Sequence, residues 1–248
     1  MGELQGKTAV VTGASRGLGH AIAGAFAKEG ADIIAISRTI PQTLIEEIHG
    51  YGRKCVAIGY DLSNCDGIEE LAEKIISEHG DIDILCNNAG AQSRHPCADF
   101  PKADWDYVMN VNCNSVFFLC QQFGRHMLKR GRGKIINIAS LLSFQGGLTV
   151  PAYAASKGAV IQFSKSFSNE WAQHGVNVNC IAPGYCDTDM NTALIADATR
   201  SEQILQRIPI GRWALPQDIA GAAVFLAGKN SDYVNGIVLP VDGGWLGR

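Results

Sequence analysis

A tyrosine and a lysine that could carry proton-transfer chemistry stand four residues apart in the segment YAASK, as Tyr153 and Lys157. In a helix this spacing places both side chains on one face. Free tyrosine has a pKa of about 10 and is a poor acid–base group near neutrality, but a neighbouring ammonium group lowers that pKa. Ser140 ends an apolar segment upstream. Alone, such a pair is usually a surface pair and such a serine a turn cap; together they indicate an acid–base site.

A glycine-rich turn follows the first apolar segment. The stretch TGASRGLG supplies Gly13, Gly17 and Gly19 between a predicted strand and a predicted helix. Free N–H groups and the helix dipole at such a place attract phosphate. The spacing G-x-x-x-G-x-G differs from the general dinucleotide fingerprint, and no Gly-Lys-Ser/Thr closes it as a P-loop. We expect the turn to bind dinucleotide phosphates; the alternative is a turn that only connects two elements.

The same stretch also matches G-x-S-x-G, the nucleophile elbow of α/β-hydrolases, with Ser15 at its centre. A hydrolase would need an acid and a histidine in later strand-end loops. The candidate histidines lie on or beside predicted helices: His79, His95, His126 and His174. Dinucleotide binding is therefore the favoured interpretation.

The end of the second predicted strand indicates which dinucleotide would bind. A carboxylate there would hold the ribose 2′-hydroxyl of NAD, whereas an arginine would accept a 2′-phosphate. The chain has Ser37 and Arg38 at that place and Arg16 in the glycine turn, while Asp32 lies at the opposite end of the strand. Because arginine binds phosphate through a bidentate fork, we predict NADP(H), with NAD(H) as the alternative. Asp61 could accept a hydrogen bond from adenine.

Composition excludes several classes of function. The 248 residues are 46% hydrophobic and carry a net charge of −3, so no basic field indicates nucleic acid or anionic lipid as a partner. The eight cysteines form no C-x-x-C pair and no Cys/His cluster with metal-site spacing, and we expect reduced thiols, most of them buried, and no metal. Cys186 is the candidate for reactivity. Without a signal-peptide core or an apolar run near 18 residues, we expect a cytoplasmic protein.

Apolar strands alternate with amphipathic helices along the whole chain. Strands are predicted at residues 7–12, 31–37, 54–59, 82–87, 134–139, 177–181 and 237–241. Helices are predicted at about 18–30, 41–49, 64–79, 101–129, 152–174, 187–207 and 216–227. This alternation predicts an α/β protein with a doubly wound parallel sheet of about seven strands, a Rossmann-type three-layer sandwich. We expect one domain over residues 1–248, with a substrate lid around 184–212.

Taken together, these motifs resemble the short-chain dehydrogenase/reductase family in its single-domain form. The resemblance covers nearly the whole chain and includes TGASRGLG, NNAG at 87–90, NIAS ending at Ser140, and YAASK. It continues with VNCNSVF around Asn112, APG at 182–184 followed by Thr188, and VDGG at 241–244.

The resemblance implies a role for each matched residue. Tyr153 would exchange a proton with the substrate oxygen, and Lys157 would lower the Tyr153 pKa and hold the nicotinamide ribose, so that both residues also contact the cofactor. Ser140 would orient the carbonyl, and Asn112 would support a water-linked relay. The remaining matched positions would bind the cofactor: Gly13, Ser15, Arg16, Gly17, Leu18, Gly19, Ser37, Arg38, Asp61, Asn88 (through the adenine ribose), Ala89, Gly90, Pro183, Gly184 and Thr188. The family also implies a homotetramer.

A narrower resemblance concerns the substrate. LLSFQGG at 141–147, GRWALPQD at 211–218 and the ending VDGGW are similar to sugar-acid and polyol dehydrogenases, among them 2-deoxy-gluconate and 2-dehydro-3-deoxy-gluconate dehydrogenases. Such enzymes often use NAD, which keeps NAD(H) open. Arg94 could bind a substrate carboxylate or be a surface arginine, and Tyr185 is a second candidate for substrate contact. Two rival functions remain: a ketoacyl or secondary-metabolite ketone reductase, and a non-catalytic dinucleotide-binding regulator.

Overall fold

One seven-stranded parallel sheet forms the centre of the protein, whose computed structural model describes residues 2–39 and 41–248. Its strands lie in the order β3-β2-β1-β4-β5-β6-β7. They are β1 (Thr8–Thr12), β2 (Asp32–Ser37), β3 (Cys55–Gly59), β4 (Ile84–Asn87), β5 (Gly133–Ile138), β6 (Val176–Pro183) and β7 (Val238–Val241). Every neighbouring pair is parallel. The predicted doubly wound parallel sheet is confirmed.

The helices connect these strands and cover both faces of the sheet. They are α1 (Gly17–Lys28), α2 (Gln42–Gly50), α3 (Ile68–His79), α4 (Lys102–Met109), α5 (Ser115–Arg130), α6 (Pro151–Trp171), α7 (Thr192–Ala196), α8 (Ala198–Arg207) and α9 (Pro216–Ala227). No helix in the described ranges is both long and apolar enough to cross a membrane.

Two hydrophobic cores result from the alternation of side chains along each strand. On β1, Val10 points into a core that it shares with α3, α5 and α6. Its neighbours Ala9 and Val11 point the other way, into a core formed with α1, α2 and α9. Successive residues of a strand face opposite sides, so a strand covered by helices on both faces must be apolar throughout. This explains why the strand segments read as continuous apolar runs.

The order of the strands reverses between β1 and β4, and this reversal creates a crevice at the carboxyl ends of the two strands. The backbone N–H groups of Asn88 and Ala89, just after β4, each donate to Oγ1 of Thr12 at 3.0 Å. The glycine turn after β1 is thereby fastened to the segment after β4. A parallel sheet places ligand-binding loops at this point.

Two predicted helices differ in detail from the observed ones. The stretch predicted as one helix over 101–129 consists of α4 and α5 joined by a π-helical turn at Asn110–Asn114. The stretch predicted as one helix over 187–207 contains a 3₁₀ turn, α7 and α8, with a break at Asp197, whose side chain caps α8 by accepting from the N–H of Arg200 at 3.0 Å. Polar side chains that cap a helix start often divide an amphipathic segment in this way.

Candidate active site

The acid–base pair lies in the first two turns of α6, beside the end of β5. Pro151 occupies the first position of α6, where its missing N–H costs nothing. Tyr153 and Lys157 share one face, and Lys157 Nζ lies 5.8 Å from the centre of the Tyr153 ring. Lys157 is buried, and its Nζ donates to the Ile138 carbonyl at 2.6 Å. The ammonium group is therefore tied to the end of β5, which also positions Ser140.

Ser140 follows β5 and begins a 3₁₀ turn over Leu141–Ser143. Its Oγ accepts from the backbone N–H of Leu142 at 3.1 Å, and the Ser143 hydroxyl closes the turn by donating to the Lys157 carbonyl at 2.8 Å. The serine side chain is thereby held at the cleft wall, close enough to Tyr153 to oppose part of the rise in the pKa of its hydroxyl. The alternative interpretation of Ser140 as a turn cap is therefore also correct, since Ser140 both caps the turn and faces Tyr153.

Burial controls the pKa values of this pair. Removal of the Tyr153 hydroxyl from water raises its pKa, and hydrogen bonding with Ser140 only partly opposes this. Burial lowers the pKa of Lys157 to about 8. The predicted lowering of the Tyr153 pKa by Lys157 is therefore wrong for this site, because the ammonium group is directed at the Ile138 carbonyl and desolvation is the larger effect. At neutral pH the phenol keeps its proton.

Asn112 lies on the π turn between α4 and α5 and is fully buried. Its Oδ1 accepts from the N–H of Ala91 at 2.7 Å, and its Nδ2 donates to the Ala91 carbonyl at 2.9 Å and to Ser156 Oγ at 3.1 Å. These bonds connect the segment after β4 to α6. Extra residues in π turns often aim a side chain at a functional site. The water relay predicted for Asn112 remains a prediction, whereas its role in positioning Ala91 follows from these contacts.

The glycine turn provides a cradle of unused donors. The backbone N–H groups of Gly17, Leu18 and Gly19 have no protein acceptor within the part of the chain that the structure describes, and α1 has no side-chain cap. Gly13 has a φ of +66°, and a Cβ there would lie 2.8 Å from Ala89 Cα. A Cβ on Gly19 would lie 2.2 Å from the Gly13 carbonyl oxygen. Only glycine permits this close packing, which leaves the donors facing the cleft.

The Asn88 side chain holds the glycine turn in place through hydrogen bonds to its backbone. Its Nδ2 donates to the carbonyl oxygens of Thr12 at 3.0 Å and Gly13 at 3.2 Å. The side chain predicted to contact the adenine ribose is thus occupied in holding the turn. Asn87, one residue earlier, is buried and donates to Asn137 Oδ1 at 2.8 Å. The sequence motif NNAG therefore joins three strands at the floor of the cleft.

The outer end of the cleft carries the residues predicted to choose the dinucleotide. Ser37 ends β2, its Oγ donates to the Thr39 carbonyl at 2.7 Å, and the exposed Arg38 follows it. The Asp61 carboxylate accepts from the Ser63 N–H at 2.9 Å, and this bond, together with the positive charge of Arg38, lowers its pKa. Asp32, by contrast, pairs with Arg53 at 2.7 Å at the other end of β2.

Arg16 connects the glycine turn to the segment after β6. Its guanidinium lies 3.0 Å from the Asp189 carboxylate, and both side chains are mostly exposed. Asp189 follows Thr188, which lies over Gly17. An exposed pair of this kind contributes little to stability, so Arg16 can exchange this partner for a phosphate at small cost.

A single cleft of about 1540 Å³ brings together most of the predicted site residues, whereas Asn112 and Gly19 lie behind its wall and are not among its lining residues. It runs from Arg38 past the glycine turn to Ser140, Tyr153 and Lys157. It ends under the segment 184–207, where Arg94 and Tyr185 also line it. The structure adds lining residues that were not predicted individually: Gln145, Leu194, Arg200, Gln203, Ile204, Arg207 and Trp245. They come from three separate segments. The predicted lid around 184–212 contains five of them, and the motifs LLSFQGG and VDGGW contain Gln145 and Trp245.

Charge in the cleft is strongly one-sided. Among the described residues, six cationic side chains line it and only two carboxylates do, those of Asp61 and Asp189. The cations are Arg16, Arg38, Arg94, Lys157, Arg200 and Arg207. One of the two acids is already paired with Arg16. The net positive potential favours anionic ligands along the whole length of the cleft.

Other candidate chemistries lack a geometric basis. No histidine lines the cleft near Ser15, so the hydrolase interpretation has no triad among the described residues. Those residues also contain no group of three potential metal ligands. All eight cysteines are free and four of them are buried, fewer than predicted. Burial raises the pKa of Cys186 to about 12, which leaves it as an unreactive thiol.

The strand order, the crevice at its reversal and the Tyr–Lys–Ser arrangement define a dinucleotide-binding oxidoreductase fold. The family model for short chain dehydrogenase matches residues 7–199, and the chain belongs to that family. The predicted family is thereby confirmed.

Particular relatives are similar over their full length. The 2-dehydro-3-deoxy-D-gluconate 5-dehydrogenase of Bacillus subtilis is 54% identical over 249 residues, covering 99% of this chain and 96% of the relative. The enzyme of the same name from Dickeya dadantii is 50% identical over 246 residues, covering 99% and 97%. The crystal structure of a gluconate 5-dehydrogenase from Burkholderia cenocepacia in complex with NADP and tartrate is 38% identical, with a TM-score of 0.94 over 99% of this chain and 98% of that chain.

Proposed function

We propose that this protein transfers a hydride between NADP(H) and a carbonyl or secondary alcohol group of a sugar acid. The observation that carries the proposal is the continuity of one cationic cleft from the unused donors of the glycine turn to Tyr153 and Ser140. A dinucleotide held at one end would meet a small anionic substrate at the other. A regulatory protein that only bound a dinucleotide would not need Tyr153, Lys157 and Ser140 in this arrangement.

The cleft fits a nicotinamide dinucleotide. When bound, NADP(H) supplies or accepts the hydride. The glycine turn would hold its phosphates, Ser37 and Arg38 its 2′-phosphate, and Asp61 its adenine. The inner end would be enclosed by residues that line the cleft after β4 and β6: Asn88, Ala89, Gly90, Pro183, Gly184 and Thr188. The open N–H donors and the excess of positive charge are the features that suit this polyanion.

The chain itself performs the proton transfer. In reduction, the Tyr153 hydroxyl donates its proton to the substrate oxygen as that oxygen becomes an alcohol. In oxidation, the phenolate accepts the proton of the alcohol. Ser140 Oγ holds the substrate oxygen beside the phenol and partly offsets the rise in the Tyr153 pKa, while Lys157 Nζ lies 5.8 Å from the centre of the Tyr153 ring. Because the Tyr153 pKa is raised, the acid form predominates near neutrality, which suits reduction.

The substrate class follows from the charge of the cleft and from the relatives. The similar proteins are named for deoxygluconate and gluconate substrates, and one binds tartrate. An excess of cations beside a polar wall suits a hydroxylated carboxylate better than the apolar chain of a ketoacyl or secondary-metabolite ketone.

A panel of substrates tests this proposal. We expect turnover with 2-dehydro-3-deoxy-D-gluconate or 5-keto-D-gluconate, followed at the nicotinamide absorbance with NADPH and NADH in parallel. The neutral ketose D-fructose and an apolar acetoacetyl ester should react at least about 100-fold more slowly, because each lacks the carboxylate that the cationic cleft attracts. Preference for the acetoacetyl ester would replace this proposal with the ketone-reductase function.

We further propose that the enzyme acts in the cytoplasm.

We also propose that the segment 184–212 is a lid over the substrate. The lid carries α7 and α8, is attached to the glycine turn by the exposed Arg16–Asp189 pair, and packs on Leu141 and Trp245 through a small hydrophobic cluster. Such weakly anchored segments open and close readily.

A homotetramer is proposed on the basis of exposed aromatic residues on two separate surfaces. Trp105 and Phe118 are exposed on α4 and α5, and Phe225 is exposed on α9. Two distinct apolar surfaces on one chain allow two isologous interfaces, which is what a tetramer with three twofold axes needs.

The mass in solution tests this assembly. We expect light scattering to give about four chain masses for the wild type and about two for Phe118→Arg, since a buried charge would disrupt one interface. Arg125→Gln, an exposed change on the same helix, is the control and should leave the tetramer intact. A monomeric wild type would contradict the proposal.

A further inference from the structure

Arg207 and Trp245 form a stacked pair at the substrate end of the cleft. Arg207 is the last residue of α8, and its guanidinium carbon lies 4.1 Å from the centre of the Trp245 ring. Trp245 is buried, and its Nε1 donates to Gln145 Oε1 at 3.3 Å. Gln145 belongs to the loop that follows Ser140 and its 3₁₀ turn. The stack therefore connects the lid, the C-terminal turn and the loop beside the catalytic serine.

A hydrophobic cluster fixes the position of this stack. Trp245 packs with Leu141, Ile204 and Ile208, and its ring centre lies 4.8 Å from that of Tyr185. Leu141 is the residue immediately after Ser140. The buried indole therefore packs against the residue next to the catalytic serine. The Arg207 guanidinium, which lies over the indole, lines the same cleft.

The guanidinium of Arg207 lies over the Trp245 ring and has unused donors. It makes no hydrogen bond or ion pair to any residue in the ranges 2–39 and 41–248. Stacking occupies the face of a guanidinium and leaves its N–H edge available. That edge matches the two oxygens of a carboxylate, and fixing the side chain in advance reduces the entropy lost on binding.

The other two arginines at the substrate end of the cleft are less well oriented for binding a carboxylate. Arg94 is exposed, as Arg207 is, but its one side-chain hydrogen bond among the described residues is a long one, 3.5 Å to Gln92 Oε1. Arg200 already donates to Gln203 Oε1 at 3.0 Å. Neither packs on an aromatic ring. Of the three, only Arg207 combines a defined orientation with a complete set of unused donors.

We infer that Arg207, oriented by Trp245, binds the carboxylate of the substrate and sets the preference for sugar acids over neutral polyols. The inference rests on the proposed function for the identity of the substrate. It places the main carboxylate contact on the lid, not on Arg94 after β4. Since α8 belongs to the lid, a substrate that carries a carboxylate would also draw the lid onto the cleft, and a neutral one would not.

Binding of tartrate, a small hydroxy dicarboxylate, tests the inference without turnover. In calorimetry with NADP⁺ present, Arg207→Gln should raise the Kd of tartrate about 10- to 100-fold, as expected for the loss of a charge-assisted bidentate contact. Threitol, the neutral counterpart, should bind wild type and variant equally. In kinetics, KM for the sugar acid should rise by a similar factor with kcat changed much less.

Matched variants separate this role from general charge and from packing. Lys74→Gln removes an exposed positive charge on α3, outside the cleft, and should leave tartrate binding unchanged. Trp245→Phe keeps an aromatic face and should retain most of the affinity, whereas Trp245→Leu should raise the Kd of tartrate while threitol binding is unaltered.

Two outcomes would overturn the inference. One is an unchanged tartrate Kd in Arg207→Gln together with a large rise in Arg94→Gln; the other is an equal loss of tartrate and threitol binding in Arg207→Gln. If tartrate binding depends on Arg207 but no sugar acid is turned over, the proposed function fails and the carboxylate site stands.

Discussion

Replacing Tyr153 by phenylalanine is expected to lower kcat by about three orders of magnitude, the effect of removing a positioned general acid. The ring of the phenylalanine would still fill the space on α6, because only the hydroxyl is lost. NADP(H) binding should therefore change little, since the glycine turn, Arg38 and Lys157 remain in place. Stopped-flow or steady-state absorbance measures the turnover, and fluorescence titration with NADPH measures the binding.

The pH dependence provides the control for this prediction. The raised pKa of Tyr153 keeps the phenol protonated at neutral pH, so oxidation, which needs the phenolate, should speed up as pH rises, and reduction should slow down. The residual activity of Tyr153→Phe should lack this opposite dependence. Tyr51→Phe, an exposed change far from the cleft, should behave as wild type. Turnover in Tyr153→Phe within tenfold of wild type would remove Tyr153 from the role of acid.

Much of the site was predictable because its residues are close in sequence or at strand ends. The spacing of Tyr153 and Lys157 places them on one helix face in any α-helix, and the glycine turn follows β1 directly. Parallel strands bring all their carboxyl ends to one edge, so Ser140 and the turn had to share a cleft once the sheet was parallel. These features depend on local geometry and on strand direction alone.

The remaining features depend on tertiary packing. The direction of the Tyr153 pKa shift was predicted wrongly because burial raises that pKa and because the partner of Lys157 is the Ile138 carbonyl, neither of which the spacing reveals. The π turn at Asn112 lies within an uninterrupted helical pattern and leaves no trace in hydrophobic periodicity. Arg207 and Trp245 are brought together only when the lid and the C-terminal turn pack on Leu141.

The sequence and the structure both predict that the protein prefers NADP(H) to NAD(H). Arg38 is exposed at the end of β2, and Asp61 is the only carboxylate near it that lines the cleft within the described ranges. Asp61 is bound by the Ser63 N–H, and its charge is partly offset by Arg38. The ribose end of the cleft is therefore cationic overall, which favours a 2′-phosphate over a 2′-hydroxyl.

Reversing the charge at Arg38 should consequently reverse the cofactor preference. In Arg38→Asp, kcat/KM for NADPH should fall by about two orders of magnitude, since a charge-assisted contact is lost and a carboxylate is placed beside the phosphate. The new carboxylate can accept from the ribose 2′-hydroxyl, so kcat/KM for NADH should hold or rise. Arg38→Gln, which removes the charge without adding one, should give an intermediate ratio.

The ratio of the two kcat/KM values, measured with the same sugar acid, decides this prediction. Arg53→Gln is the matched control, because Arg53 pairs with Asp32 at the opposite end of β2 and lies outside the cleft. It should leave the ratio unchanged even if it lowers the melting temperature. A ratio that is also unchanged in Arg38→Asp would show that Arg38 does not contact the 2′-phosphate. The 2′-phosphate would then be bound by Arg16 in the glycine turn. Arg16 would have to leave Asp189 and pair with the phosphate, and this exchange would account for the preference for NADPH over NADH.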